Sequence, residues 1–241
     1  MEFKDGLVGY GKYVFTFIEL RDLLISAIVL GFIFSFRNWS FENLLLSIAI
    51  VGPALILHEL AHKFMAQRYD LVAAYVIWPT GIILSLLVTV MTNGAVLFAA
   101  LGAVMISSVY HTRLGYQFIG LTSQEMGKIS WAGPMTNIGL AILCYVLHPL
   151  NPAVFGMAAM INLIIAIFNC LPFPPLDGVK IFRWNIPIWL GTLVAAVVLM
   201  FLPNYIGIAY SLVITVIIVI LLFIWLQTVI PATQQTKSEY A

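Results

Sequence analysis

From Leu44 to Leu57 the chain carries no charge, and this apolar run leads directly into His58-Glu59-Leu60-Ala61-His62. Inside a bilayer every backbone polar group must be satisfied by the protein itself, which confines such a run to a helix or a closed barrel. A spanning helix needs about 20 mostly apolar residues, and the run with its extension meets that length. Ionisable side chains at such depth are costly and mark a functional site by default. Histidines four apart on a helix project from one face, one turn above the other. The spacing lets His58 and His62 bind one zinc ion, with Glu59 beside them as a general base.

Composition extends the membrane reading to the whole chain. Of its 241 residues 62% are hydrophobic and 9% charged, against roughly 25% charged in soluble domains. A net charge of +1 gives no reason to expect nucleic acid as a partner. Cys144 and Cys170 both lie in apolar segments and read as small buried hydrophobes, not as a disulfide framework. The first twenty residues carry Glu2, Lys4, Asp5, Lys12 and Glu19, so no cleavable signal peptide is expected there.

Candidate membrane helices cover 20–36, 43–66, 75–91, 129–148, 153–171, 186–202 and 205–229. The fold class expected is an all-α polytopic membrane protein of about six to eight membrane segments. The segment 94–107 is apolar but short, and within it Gly102–Ser107 reads as a strand or re-entrant element, covered by protein or lining a cavity. The organisation expected is a cytoplasmic segment 1–19, a transmembrane domain 20–230 with its core at 43–180, and a disordered tail 231–241. Lys4, Lys12, Arg21, Lys63, Arg68, Arg113, Lys128, Lys180, Arg183 and Lys237 all fall on one side if 75–107 enters the membrane and returns, and only Arg37 dissents. The excess of basic residues makes that side cytoplasmic, with both termini there. The polar loop 108–128 ends in Thr122-Ser123-Gln124-Glu125, a capping-box pattern that starts the next helix.

Two histidines need a third protein ligand, with a fourth position open to water, to make a catalytic zinc site. Asp177 is the candidate, at the end of Asn169-Cys170-Leu171-Pro172-Phe173-Pro174-Pro175-Leu176-Asp177-Gly178. The prolines forbid a continuous helix, and Gly178 would allow a sharp turn; an Asp-Gly pair after prolines is also simply a turn signal. Asn137 and Asn169 are polar groups in apolar helices. They serve either as interhelical hydrogen-bond partners or as groups near the metal that bind substrate or the oxyanion. His111 and His148 read as surface and helix-end residues. The tryptophans mostly fall near helix ends, as interfacial anchors do. Lys63, Gln67, Arg68 and Lys180 read as a polar path for water from the cytoplasmic side.

His58-Glu59-Leu60-Ala61-His62, Gly133-Pro134-x-x-Asn137 and the Asn169–Gly178 run, in that order, give the chain its resemblance to the site-2 protease family of zinc intramembrane metalloproteases. The resemblance covers roughly 43–180 and is to the archaeal and bacterial branch, without the PDZ-like or CBS domains of many relatives. It implies one zinc ion per chain held by His58, His62 and Asp177, Glu59 as base, and Asn137 and Asn169 assisting the substrate or transition state. It also implies a transmembrane helix of another protein as substrate, cut within the lipid bilayer near its cytoplasmic side. A helix must unwind to be cut, and the strand Gly102–Ser107, through Gly102, Val104 and Ile106, would hold it extended by strand addition. Three other readings stay open. One is a metal- or proton-translocating protein, another a non-catalytic relative that binds membrane proteins. The third, a structural metal site, needs a fourth protein ligand such as His111 or His148.

Overall fold

The computed structural model describes residues 15–69, 71–107, 109–112, 115–118 and 120–229. The segment up to residue 14 and the tail 231–241 lie outside the described residues. Contacts divide the chain into two compact units, one ending at Gly120 and the other starting at Leu121.

In the first unit, helix α1 (Phe17–Ser35) starts at Thr16, whose hydroxyl accepts from Glu19 N at 3.1 Å. Helix α2 (Phe41–Arg68) starts in the same way, Ser40 Oγ accepting from Asn43 N at 3.0 Å. Such side-chain caps satisfy amides that the first helical turn leaves unpaired. The two helices pack closely because Gly31 faces Ile48; a Cβ at Gly31 would lie 2.4 Å from Ile48 Cγ1. Strand β1 (Val72–Ile77) follows α2, then helix α3 (Pro79–Met91), and the chain returns as strand β2 (Gly102–Ser107) antiparallel to β1. A second hairpin pairs β3 (Val109–Thr112) with β4 (Gly115–Phe118), inside the region read from sequence as a polar loop. Its Val109, Tyr110, Thr112, Tyr116 and Phe118 are residue types that favour strands.

The expected membrane helix over 75–91 is corrected by the structure. Its first residues belong to β1, and only the 13 residues from Pro79 are helical. Proline disfavours a helical residue before it, and Trp78 is accordingly extended. Pro79 then occupies the first turn, where its missing N–H costs nothing. At 1.5 Å per residue α3 is about 20 Å long, short of the ~30 Å hydrocarbon core. The chain turns back at Asn93 and Gly94, both with positive φ, and Gly94 N donates to Thr89 O at 2.8 Å. Ser85 Oγ donates to Gly81 O and accepts from Ala100 N, so α3 supplies partners to the returning coil. The return passes so near α3 that a Cβ at Gly81 would lie 1.9 Å from Ala100 O.

The second unit begins with helix α4 (Ser123–Leu147), where Thr122 and Glu125 form the expected reciprocal capping box. Helix α5 (Pro152–Asn169) follows, capped by Asn151. After the proline-rich loop come α6 (Asp177–Trp184), α7 (Ile186–Phe201), the single turn α8 (Pro203–Ile206) and α9 (Ile208–Val229). A core of Ile138, Ala141, Ala159, Leu163, Ala166, Ala196 and Leu199 joins α4, α5 and α7. Alanines at the contact let helix backbones approach, which replaces the hydrophobic drive that lipid does not provide.

Among the described residues, five segments are long and apolar enough to cross a membrane: Phe41–Arg68, Ser123–Leu147, Pro152–Asn169, Ile186–Ile206 and Ile208–Leu226. The chain is a mostly helical, polytopic membrane protein with a small two-stranded sheet where sequence placed one.

Gly81→Ala is expected to destabilise the protein by about 1–3 kcal/mol or more, because its methyl group meets the backbone carbonyl of Ala100 as well as the Trp78 ring. Gly139, on α4 with open space around its added Cβ, is the control. Gly139→Ala should be neutral or stabilising by up to about 1 kcal/mol. Thermal unfolding in detergent separates the two, and equal melting temperatures would contradict the close approach.

Candidate functional site

Helix α2 brings His58, Glu59 and His62 together in a buried position. The two imidazoles meet edge to face, ring centres 4.7 Å apart, with His58 Nε2 and His62 Nε2 separated by 3.1 Å. Two nitrogens bound to one tetrahedral zinc at about 2.0–2.1 Å each sit about 3.3 Å apart. The separation of the pair therefore fits a shared metal ion. Without a metal, the same separation requires one ring to donate an Nε2 proton to the other.

The next residue, Lys63, corrects the expected water path. It is 1% exposed and ion-paired with Glu19 of α1, and its ammonium lies 4.1 Å from the Phe15 ring centre. Gln67, one turn further along α2, is buried as well. An apolar protein buries a lysine only when a carboxylate comes with it. Glu19, read from sequence as the last residue of a cytoplasmic segment, is that partner, and no local signal in the chain links positions 44 residues apart.

The phase of the β1–β2 ladder decides which backbone groups each strand turns outward. Trp78 N donates to Leu101 O at 2.8 Å, which continues the register that pairs Val76 with Ala103 and Ala74 with Met105. Directly opposed residues in an antiparallel ladder alternate between bonded and non-bonded pairs. Tyr75↔Val104, Ile77↔Gly102 and Ala73↔Ile106 are thus the non-bonded pairs. In agreement, Tyr75 N and Ile77 N point away from β2 and donate to Glu19 Oε1 and Asp22 Oδ2, at 3.1 and 3.3 Å. On the other strand, Gly102, Val104 and Ile106 turn their N–H and C=O groups outward. No further strand lies beyond β2 among the described residues.

In the second unit, Asp177 is half-buried, opens α6 and lies 3.5 Å from Lys180 Nζ. Gly178 serves a different purpose from the expected turn. Its φ is not in the left-handed region, and the helix continues through it, but a Cβ there would lie 2.2 Å from Cys170 O. Glycine is needed because α6 starts against the end of α5. Trp189 Nε1 donates to that same Cys170 carbonyl at 2.7 Å, so this tryptophan is a structural hydrogen-bond donor. Trp131 is another, through Thr192 Oγ1 at 2.8 Å. Burial, with the Asp177 carboxylate adding to it, pushes the Cys170 thiol up to about 12. It stays protonated, in keeping with its reading as a small buried hydrophobe.

Asn137 is fully buried, and its Nδ2 donates across the helix interface to Asn162 Oδ1 at 2.9 Å. Asn162 in turn donates to Ala158 O. This pair joins α4 to α5, as the interhelical reading of Asn137 requires. Asn162 was missed from sequence, although its position among Met160, Ile161, Leu163 and Ile164 is a signal of the same kind as Asn137. Asn169 Nδ2 donates to Ile165 O of its own helix at 3.0 Å.

No protein-family model matches the chain, and no solved structure matches it. A protein of Methanocaldococcus jannaschii provisionally named a zinc metalloprotease is 37% identical over 179 residues, an alignment covering 71% of this chain and 86% of the relative. With that identity over most of both sequences, the chain belongs to the zinc metalloprotease family of this archaeal protein.

Proposed function

We propose that the chain is an intramembrane endopeptidase of the site-2 protease type, which cuts transmembrane helices of other proteins at a single zinc ion. The observation that carries the reading is the buried pair of imidazoles 3.1 Å apart on a helix long and apolar enough to span a bilayer. His58, His62 and Asp177, each with one donor atom of the kind zinc takes, are the proposed ligands. The relative's name supports a zinc protease, and the membrane helices support a substrate that shares the bilayer.

Zinc, when bound, lowers the pKa of its water to about 7 and polarises a carbonyl. The chain's own groups do the rest. Glu59, next to the first ligand and buried beside it, takes the proton of the attacking water and returns it to the leaving amine. Burial of the site strengthens each charge interaction within it. Asn137 and Asn169, each of which also donates within the helices, are assigned to support of the substrate backbone or the oxyanion. The outward groups of Gly102, Val104 and Ile106 supply the edge on which an unwound substrate pairs as a strand. The basic residues of the polar connections put this end of the protein, and both termini, on the cytoplasmic side.

Metal analysis of the purified chain is expected to give about one zinc per chain, lost or sharply weakened in His58→Ala and in Asp177→Ala. Full zinc retention in Asp177→Ala would remove it from the ligand set. Glu59→Gln should keep the metal yet cut a transmembrane substrate in liposomes roughly 10²–10⁴-fold more slowly; a wild-type rate would exclude Glu59 as the base. Proline has no N–H to offer. Val104→Pro therefore removes an outward donor and leaves the bonds to β1, so cleavage should fall about 10-fold or more while the fold stands. Undiminished cleavage would refute strand addition at β2.

A further inference from the structure

The buried acids of α1 have no part in the proposed chemistry, yet each divides its two oxygens in the same way. Glu19 gives Oε2 to Lys63 and Oε1 to Tyr75 N. Asp22 gives Oδ1 to Arg21, at 2.7 Å from Nη2, and Oδ2 to Ile77 N. One oxygen meets a cation and the other an amide on the outer edge of β1. Ser26, one turn further along the same face of α1, accepts from the Tyr75 hydroxyl at 2.9 Å. Both acids are 2% exposed.

Stability alone does not account for this arrangement, because well-packed apolar residues usually replace a buried ion pair without loss. What apolar residues cannot do is accept from the amides of Tyr75 and Ile77. Those amides alternate along the strand, and the carboxylates stand one helical turn apart, so α1 occupies the place that a third strand would take. The outer edge of β1 is occupied at Tyr75 and Ile77, so within this pair an added strand joins at β2. Lys63 also follows His62 directly in α2. A single carboxylate thus ties the strand pair to the helix that carries the two histidines.

Resting on the protease reading above, we propose that Glu19, assisted by Asp22, is a positioning residue that fixes the height of the β1–β2 pair against the His58–His62 turn. It thereby selects which substrate bond meets the metal centre. A loosened strand slides, and a substrate paired to it presents neighbouring bonds as well. The role is held by a contact, not by the titration of any group, and it acts through β2 without touching the substrate.

The test uses the full-length zinc-loaded protein, with amide exchange at residue resolution, zinc content and mass spectrometry of the cleavage products. In Glu19→Ala the Tyr75 amide should exchange about 100-fold faster, while Ala74 and Val76, bonded to β2, stay protected. Zinc content should hold. For a transmembrane substrate, kcat/KM should drop about 10-fold, mostly through KM, and product ends should spread over adjacent bonds. Because Glu19→Ala also takes the Glu19 carboxylate away from Lys63, Glu19→Gln with Lys63→Met is the second variant. It keeps an oxygen for Tyr75 N and removes the buried charges together, and it should recover the Tyr75 protection and the single product end. The proposal is overturned by a folded Glu19→Ala that retains Tyr75 protection, or that loses it and still cuts one bond at the wild-type rate. Loss of zinc in Glu19→Ala would overturn it too, by placing the effect on α2. Failure of the protease reading looks different: the wild type itself holds no zinc and cuts nothing, while Tyr75 exchange still decides whether Glu19 holds the strand.

Discussion

Backbone amides at membrane depth have no water to turn to, and the first unit is built around that constraint. A strand pair in an apolar environment leaves two edges of unpaired groups, each costing several kcal/mol if orphaned there. The outer edge of β1 is met by Glu19 and Asp22 from α1. The coil that returns from α3 is met by Ser85, Thr89 and Thr92. Only once these groups are satisfied can non-helical backbone exist beside α2. The outward edge of β2 is the one that the proposed strand addition uses.

The same economy governs charge. Lys63 is among the largest fully buried side chains of the protein, and it is tolerable because Glu19 accompanies it. The histidines and Glu59 are buried on the same helix, His62 directly before Lys63 and Glu59 one turn away. A metal held between two buried imidazoles would act through the Nε2 lone pair of each, its charge little screened in an apolar surrounding. The proposed reaction thus draws on the property that makes the site costly to build.

Much of this architecture was legible in the sequence, for identifiable reasons. Long apolar runs set α2, α4, α5, α7 and α9, because length and absence of charge are local properties. The capping box at Thr122 and Glu125 is equally local, and so is the strand at Gly102–Ser107, bounded by a glycine. The helix expected over 75–91 failed because hydrophobicity alone does not distinguish strand from helix. Pro79 held the correction, since it forces Trp78 out of the helical region. Lys63 reads as part of a polar water path because its partner lies on another helix, and Glu19 reads as the end of a terminal segment for the same reason. Gly178 was read for its conformational freedom, whereas its cause is the nearness of Cys170 O, which no spacing rule reveals.

The proposed function rests on a metal held by two imidazoles and a carboxylate with a position left for water. X-ray absorption at the zinc edge of the loaded protein reads that shell directly. Two imidazole ligands with the remaining donors all oxygen, at about 2.0–2.2 Å, and no sulfur at about 2.3 Å, is the result the account requires. A sulfur ligand, or a shell with fewer than two imidazoles, would contradict it.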